Sequence, residues 1–176
     1  MNRARLAAPL LAGVILCGCD TGLAPPTDVS GFSGVIYFKN WPSADQVQEL
    51  RIIAFNTYPS DSAIILQDVA TGLAAIYPQI GQRNLLLDTT QQVLFADSIR
   101  YAFTTLGTTL QVGQYPYVAL AWRYGPNVFS DWRPAGVYSL GPGPFDAAPV
   151  RVLLHRITPN INIIADFSNP PPRPWR

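Results

Sequence analysis

Residues 117–124 read YVALAWRY, and the pattern has a period of two: Val118, Leu120 and Trp122 fall together on one side. Successive side chains of a strand point to opposite faces, so this stretch offers three large apolar groups to a single core. The same alternation recurs on both sides of it. Residues 99–105 place Ile99, Tyr101 and Phe103 on one face and Arg100, Ala102 and Thr104 on the other. Residues 161–167 (INIIADF) send Ile161, Ile163, Ala165 and Phe167 one way, and VRVLL at 150–154 is a further short strand. Upstream, GVIYFKN at 34–40 ends at Trp41-Pro42, and LRIIAFNT at 50–57 ends at Tyr58-Pro59. Proline removes a ladder donor and closes a strand.

Shorter strands are expected at 63–66, 85–87, 93–95 and 136–140. No window carries a clear helical period, although residues 44–48 suit one turn and 68–76 read either way. Composition agrees. Eleven of the 12 basic residues are arginine and Glu49 is the only glutamate, so the helix formers Lys and Glu are nearly absent. Strand-favouring Val, Ile, Thr, Tyr and Phe are plentiful, and 17 prolines with 13 glycines suit a chain of many turns. The expectation is an all-β fold, a two-sheet antiparallel β-sandwich of about seven to nine short strands in residues 31–167.

The first residues follow a different logic. Arg3 and Arg5 precede an apolar run at 6–16 (LAAPLLAGVIL), about the length of a secretory h-region and too short for a spanning helix of roughly 20 residues. It ends in Leu16-Cys-Gly-Cys19, which holds both cysteines of the chain. This resembles a bacterial lipobox. Leu16 matches the aliphatic −3 position, Gly18 the small −1 position and Cys19 the lipidated cysteine. Cys17 as acceptor would leave bulky Leu16 at −1. A metal pair is the competing reading, but two thiolates cannot close a structural zinc site, which needs four ligands.

The resemblance implies that residues 1–18 are a signal peptide and that Cys19 carries the acyl chains (palmitate or similar) of a lipoprotein. It places the protein in the bacterial cell envelope, at the periplasmic or surface face of the inner or outer membrane. One acyl chain binds a bilayer marginally and two or more hold it stably. Residues 19–30 (CDTGLAPPTDVS) read as a flexible tether, spanning roughly 30 Å if extended. Residues 168–176 (SNPPPRPWR) read as a Pro-rich tail.

Removing residues 1–18 takes two arginines from the 12 basic side chains, leaving 10 against 11 acids, a net of −1. Nucleic-acid partners are therefore not expected, because they call for a basic face. The expected partners are the bilayer itself and another envelope protein or a glycan.

Within the body, SGVIYF, ELRIIAF, VGQYPYVALAW and INIIADF resemble in their order the transthyretin-like, or carboxypeptidase-regulatory-like, β-sandwich of envelope lipoproteins, an immunoglobulin-like architecture. Gly113 and Tyr115 ahead of residues 117–122 match its Gly-x-Tyr turn. The resemblance implies a non-catalytic accessory scaffold.

The chemistry-bearing residues point the same way. There is no Gly-x-Ser-x-Gly, no phosphate-binding glycine loop and no calcium-loop spacing of aspartates. His155 ends a strand with no assignable partner. No enzyme activity, metal or cofactor is expected. Dispersed carboxylates leave a hydrolase as the least favoured alternative, and a carbohydrate-binding accessory protein as the other. The aromatic-rich stretch 124–138 is the place where any ligand contact is expected, since Trp132, Phe129 and Tyr138 supply ring faces while Asp131 and Arg133 could orient polar groups. The competing and favoured reading is that these rings cap the sandwich and cover its ends.

Overall fold

The computed structural model describes residues 28–82, 95–141, 143 and 145–175. The elements run β1 Gly31–Lys39, a single 3-10 turn at Ala44–Gln46, β2 Glu49–Phe55, α1 Ser62–Thr71, β3 Ala74–Tyr77, β4 Ser98–Thr104, β5 Gly113–Tyr115, β6 Tyr117–Arg123, β7 Trp132–Val137, β8 Val150–Val152, β9 Ile157–Thr158 and β10 Ile163–Asp166. The chain is therefore mainly β, with one α-helix among the described residues.

One sheet has β1 at its centre, with β4 antiparallel on one side and β9 and β10 parallel on the other. The second sheet is antiparallel in the order β3-β2-β6-β7. A third ladder pairs β5 with β8. The alternation read in the sequence decides what lies between them. Phe32 and Ile36 of β1, Tyr101 and Phe103 of β4 and Ile163 and Ala165 of β10 meet Leu50 and Ile52 of β2 and Val118, Leu120 and Trp122 of β6 in one buried cluster. Tyr115, Val150 and Val152 of the small ladder join the same cluster. A fully buried aliphatic or aromatic side chain contributes about 1.5–3 kcal/mol by leaving water, so this shared core holds the sheets together.

Polar atoms inside it are matched. The Tyr101 hydroxyl donates to the Ile161 carbonyl at 2.5 Å, and burial pushes its phenol pKa well above the ordinary value. The Tyr115 hydroxyl accepts from the Gln111 amide at 2.9 Å and donates to the Gln111 carbonyl at 3.0 Å. Trp122 Nε1 donates to the Gln46 carbonyl at 2.7 Å, tying the 3-10 turn to β6.

The two large sheets touch at one corner. Tyr138, just past β7, bridges antiparallel to Ile163, and a Cβ added at Gly136 would stand 2.2 Å from the Ile164 carbonyl oxygen. Glycine alone allows so close an approach of two backbones. At the opposite end, Trp41 stacks on both Phe38 (4.7 Å between centroids) and Phe167 (4.6 Å), and its Nε1 donates to the Ala96 carbonyl. Trp41 is thus a cap on the core.

Several expectations are corrected. The described residues hold ten strands rather than seven to nine, and β1 pairs in parallel with β9 and β10, so the first sheet is mixed. Residues 63–66, read as a strand, lie in α1. Asp61 caps that helix by accepting from the Ala63 amide at 2.8 Å, and Gly72, at φ +76°, ends it. The strand expected at 136–140 begins earlier, at Trp132, and ends at Val137. That expected at 85–87 lies outside the described residues, as do residues 93 and 94 of the one expected at 93–95, whose Phe95 is in no strand, and so do the signal segment and Cys19. Ser30, placed in the tether, is buried: its hydroxyl accepts from the His155 amide at 2.8 Å and its carbonyl from the Thr105 amide.

Candidate functional site

The face of the second sheet turned away from the shared core carries a groove of about 830 Å³, within the range of pockets that hold one small molecule. The pairing register lays out its floor in rows. Glu49, Arg123 and Trp132 stand side by side, then Arg51, Ala121 and Pro134, then Ile53 beside Ala119, and last Phe55 beside Tyr117. From Glu49 to Phe55 is six residues of strand, about 20 Å at roughly 3.3 Å per residue. Along that length the floor passes from charged to apolar.

Two alanines create the space. Ala119 and Ala121 occupy the middle rows of β6, and both line the groove. A larger side chain at either position would fill it. On one side α1 contributes Ala63, Ile65 and Val69; on the other stand Val128 and Phe129, with Arg173 and Trp175 of the tail. The apolar end is sealed where Ile65 and Val69 of α1 pack against Phe55, Tyr117 and Ala119. The hydroxyl of Tyr117 is buried there without a hydrogen-bond partner among the described residues, and burial raises its pKa well above the ordinary phenol value.

The charged end is organised around Glu49. Its carboxylate accepts from Arg51 Nε on one oxygen and from Arg123 Nε, at 3.2 Å, on the other. Arg51 is buried and also donates to the carbonyls of Pro78, Gln79 and Gln82, so it ties the chain after β3 to the sheet. Arg123 further donates to the Gly125 carbonyl at 3.1 Å and stands over the Trp132 ring, its Cζ 6.0 Å from the centroid. Arg133 and Arg173 differ. Neither has a carboxylate within ion-pair distance among the described residues. Arg133 lies over the Trp122 ring at 5.9 Å, its Nε buried and unpaired, and Arg173 donates to the Tyr124 hydroxyl at 3.0 Å. Both also line a second, smaller cavity with Gln46, Trp122 and Tyr124.

The structure brings together three of the five residues expected to contact a ligand. Trp132, Phe129 and Arg133 line the groove. Phe129 is 74 % exposed on its rim. Trp132 is half-buried, its Nε1 donating to the Val128 carbonyl at 2.9 Å, so the ring also holds the turn at 124–131. Asp131 is taken up by that turn, accepting from the Asn127 amide and the Ser130 hydroxyl, both at 2.9 Å. Tyr138 belongs to the shared core, 7 % exposed. The segment 124–138 is half strand, and only its first part is a loop.

Sequence reasoning missed Ala119, Ala121, Ile53, Arg173 and α1. The alanines were legible as small residues on the second face of YVALAWR, but they acquire meaning only when α1 and the tail rise on either side.

No protein-family model matches the chain, and neither a curated protein nor a solved structure matches it. Among the described residues there is no cluster of three or more His, Cys, Asp or Glu that could hold a metal ion, and no helix is long and apolar enough to cross a membrane.

Proposed function

We propose that the protein is a lipid-anchored, non-catalytic binding module of the bacterial envelope, with a transthyretin-like β-sandwich body, and that the groove on the outer face of its second sheet is the binding site. The observation that carries this reading is the pair Ala119 and Ala121. They keep the middle of the groove floor low where the sheet could have been paved with large side chains. The anchor rests on Leu16-Cys-Gly-Cys19, and the body on the shared core between two sheets.

The reading as a non-enzyme rests on the chemistry of the groove. Glu49 is the one carboxylate among its described lining residues and is held between two arginines, where it is poorly placed to act as base or nucleophile. The glycan alternative has less support, because Tyr138 is in the core and Trp132 is braced in its turn, leaving Phe129 as the one freely exposed ring of those three.

The test is extraction of the full chain, purified from its own envelope, followed by mass spectrometry of what organic solvent releases. The wild type should release a small molecule in fixed ratio to protein. Ala121→Phe, which fills the channel, should release none while keeping its far-ultraviolet circular dichroism. Equal release from both proteins would remove the groove from the account.

A further inference from the structure

The groove has two unlike ends, and that asymmetry specifies its ligand. At one end Ile53, Ile65, Val69 and Ala119 offer hydrocarbon, interrupted by the single buried hydroxyl of Tyr117. At the other, Arg51, Arg133 and Arg173 line the groove with Glu49, Arg123 stands paired to Glu49, and Asp131 lies in the turn that carries Ser130 and Trp132 of the lining. Both carboxylates are occupied: Glu49 by Arg51 and Arg123, and Asp131 by its own turn. Among the described residues two positive charges therefore remain without a carboxylate partner, on Arg133 and Arg173, and these are the arginines that line both the groove and the adjoining cavity.

Arg133 is held for this purpose. Its guanidinium lies over the Trp122 ring, and Trp122 is itself fixed by the hydrogen bond from its Nε1 to Gln46. That cation–π contact, with Nε buried, leaves the edge formed by Nη1 and Nη2 as the means of recognition. That edge matches a carboxylate in two parallel hydrogen bonds.

Building on the groove as binding site, we propose that its occupant is a single-chain amphiphile with a terminal carboxylate, a free fatty acid: the acid group on Arg133 and Arg173, the chain laid over Ala121 and Ala119 toward Ile53 and Ile65. The strand segment beneath the groove is roughly 20 Å long, enough for a single extended chain. A neutral amphiphile would satisfy the channel but leave both arginines without a counter-charge.

The experiment uses the full, membrane-anchored chain in vesicles of neutral phosphatidylcholine. The probe is dodecanoate carrying a photoreactive diazirine on its chain, with the matching dodecanol analogue as its uncharged partner. Crosslinked peptides are mapped by mass spectrometry. Dodecanoate should label peptides of β2, β6 and α1, and unlabelled dodecanoate should compete. Arg173→Gln and Arg133→Gln should each weaken labelling about tenfold, the scale of one charge-assisted hydrogen bond. Ala121→Phe should abolish it. Arg173 sits on the tail outside both sheets, so its variant keeps the test meaningful if Arg133→Gln loosens Trp122. Equal labelling by the alcohol, or labelling indifferent to both arginine variants, overturns the acid assignment and leaves the groove reading standing. Competition by phosphatidylglycerol but not by dodecanoate overturns the choice of a fatty acid. Absence of groove labelling by either probe overturns both.

Discussion

Gly136 runs against the backbone of Ile164 so closely that a Cβ on it would stand 2.2 Å from the Ile164 carbonyl oxygen and 3.0 Å from Ala165 Cα. Beside this contact Tyr138 bridges to Ile163, so the two large sheets meet as neighbouring backbones as well as through their shared core. Gly136→Ala should force β7 away from β10 and destabilise the protein by roughly 1–3 kcal/mol, the usual cost of inserting a methyl group into a packed contact. Thermal unfolding of the purified variant checks it. An unchanged melting temperature would mean the corner is loose.

The adjacent residues Ile163 and Ile164 give a sharper contrast, because one is fully buried and the other 51 % exposed. Ile163→Ala should cost about 2–5 kcal/mol, as should Leu120→Ala on the facing sheet. Ile164→Ala should cost well under half of that. Denaturant melts of the three variants measure it, and similar losses at 163 and 164 would contradict the two-faced strand.

Trp132 has two partners besides any ligand: the Val128 carbonyl and the Arg123 guanidinium. Replacing it by alanine should therefore lower stability by about 1–3 kcal/mol, less than the 3–5 typical of a fully buried tryptophan, and should raise amide exchange in residues 124–131. If exchange in that turn stays the same, the indole does not hold it.

Asp166 sits at the end of β10, where its carboxylate accepts from the Asn40 side chain at 2.9 Å and from the hydroxyl and amide of Ser168. These bonds, with that from Asn40 foremost, hold its pKa below the ordinary carboxylate value. A pKa lower in the folded than in the unfolded chain favours folding above the unfolded value, near about 3.9, and that gain fades as pH falls through the folded one. Asp166→Asn should thus be less stable than wild type at neutral pH, with the difference shrinking below about pH 4. Melting temperatures of both proteins from pH 7 down to pH 3 test this; a constant difference would show that ionisation of Asp166 plays no part.

How far the sequence could be read follows from what each element depends on. β4 and β10 were legible because each turns one face to the core, and such a strand must alternate. Tyr101, Phe103, Ile163 and Ala165 on that face are buried and Ile99 partly so, whereas β6 is buried along nearly its whole length and was legible from its large Val118, Leu120 and Trp122. α1 was missed. Its apolar residues at 64–66 form a continuous run that reads as a short strand. The stronger signals were its ends, Asp61 as cap and Gly72 as stop, ten residues of helix apart. The parallel pairing of β1 with β10 joins segments far apart in sequence and leaves no local trace. The site was half legible for a similar reason. Trp132 and Phe129 announced themselves as aromatics, whereas Ala119 and Ala121 matter only for the volume they leave empty. Tyr138 misled because a ring near a loop in sequence was one step beyond the strand that carries it into the core.

The proposed membrane anchor is measured most directly at Cys19. Membrane-extracted protein, digested and analysed by mass spectrometry, should yield an N-terminal peptide beginning at Cys19, with a diacylglyceryl thioether on its sulfur and a third acyl chain on its amine. Cys17 should be absent from the mature chain. An N-terminal peptide that retains residues 1–18, or one carrying an unmodified Cys19, would contradict the anchor and with it the placement of this protein in the envelope.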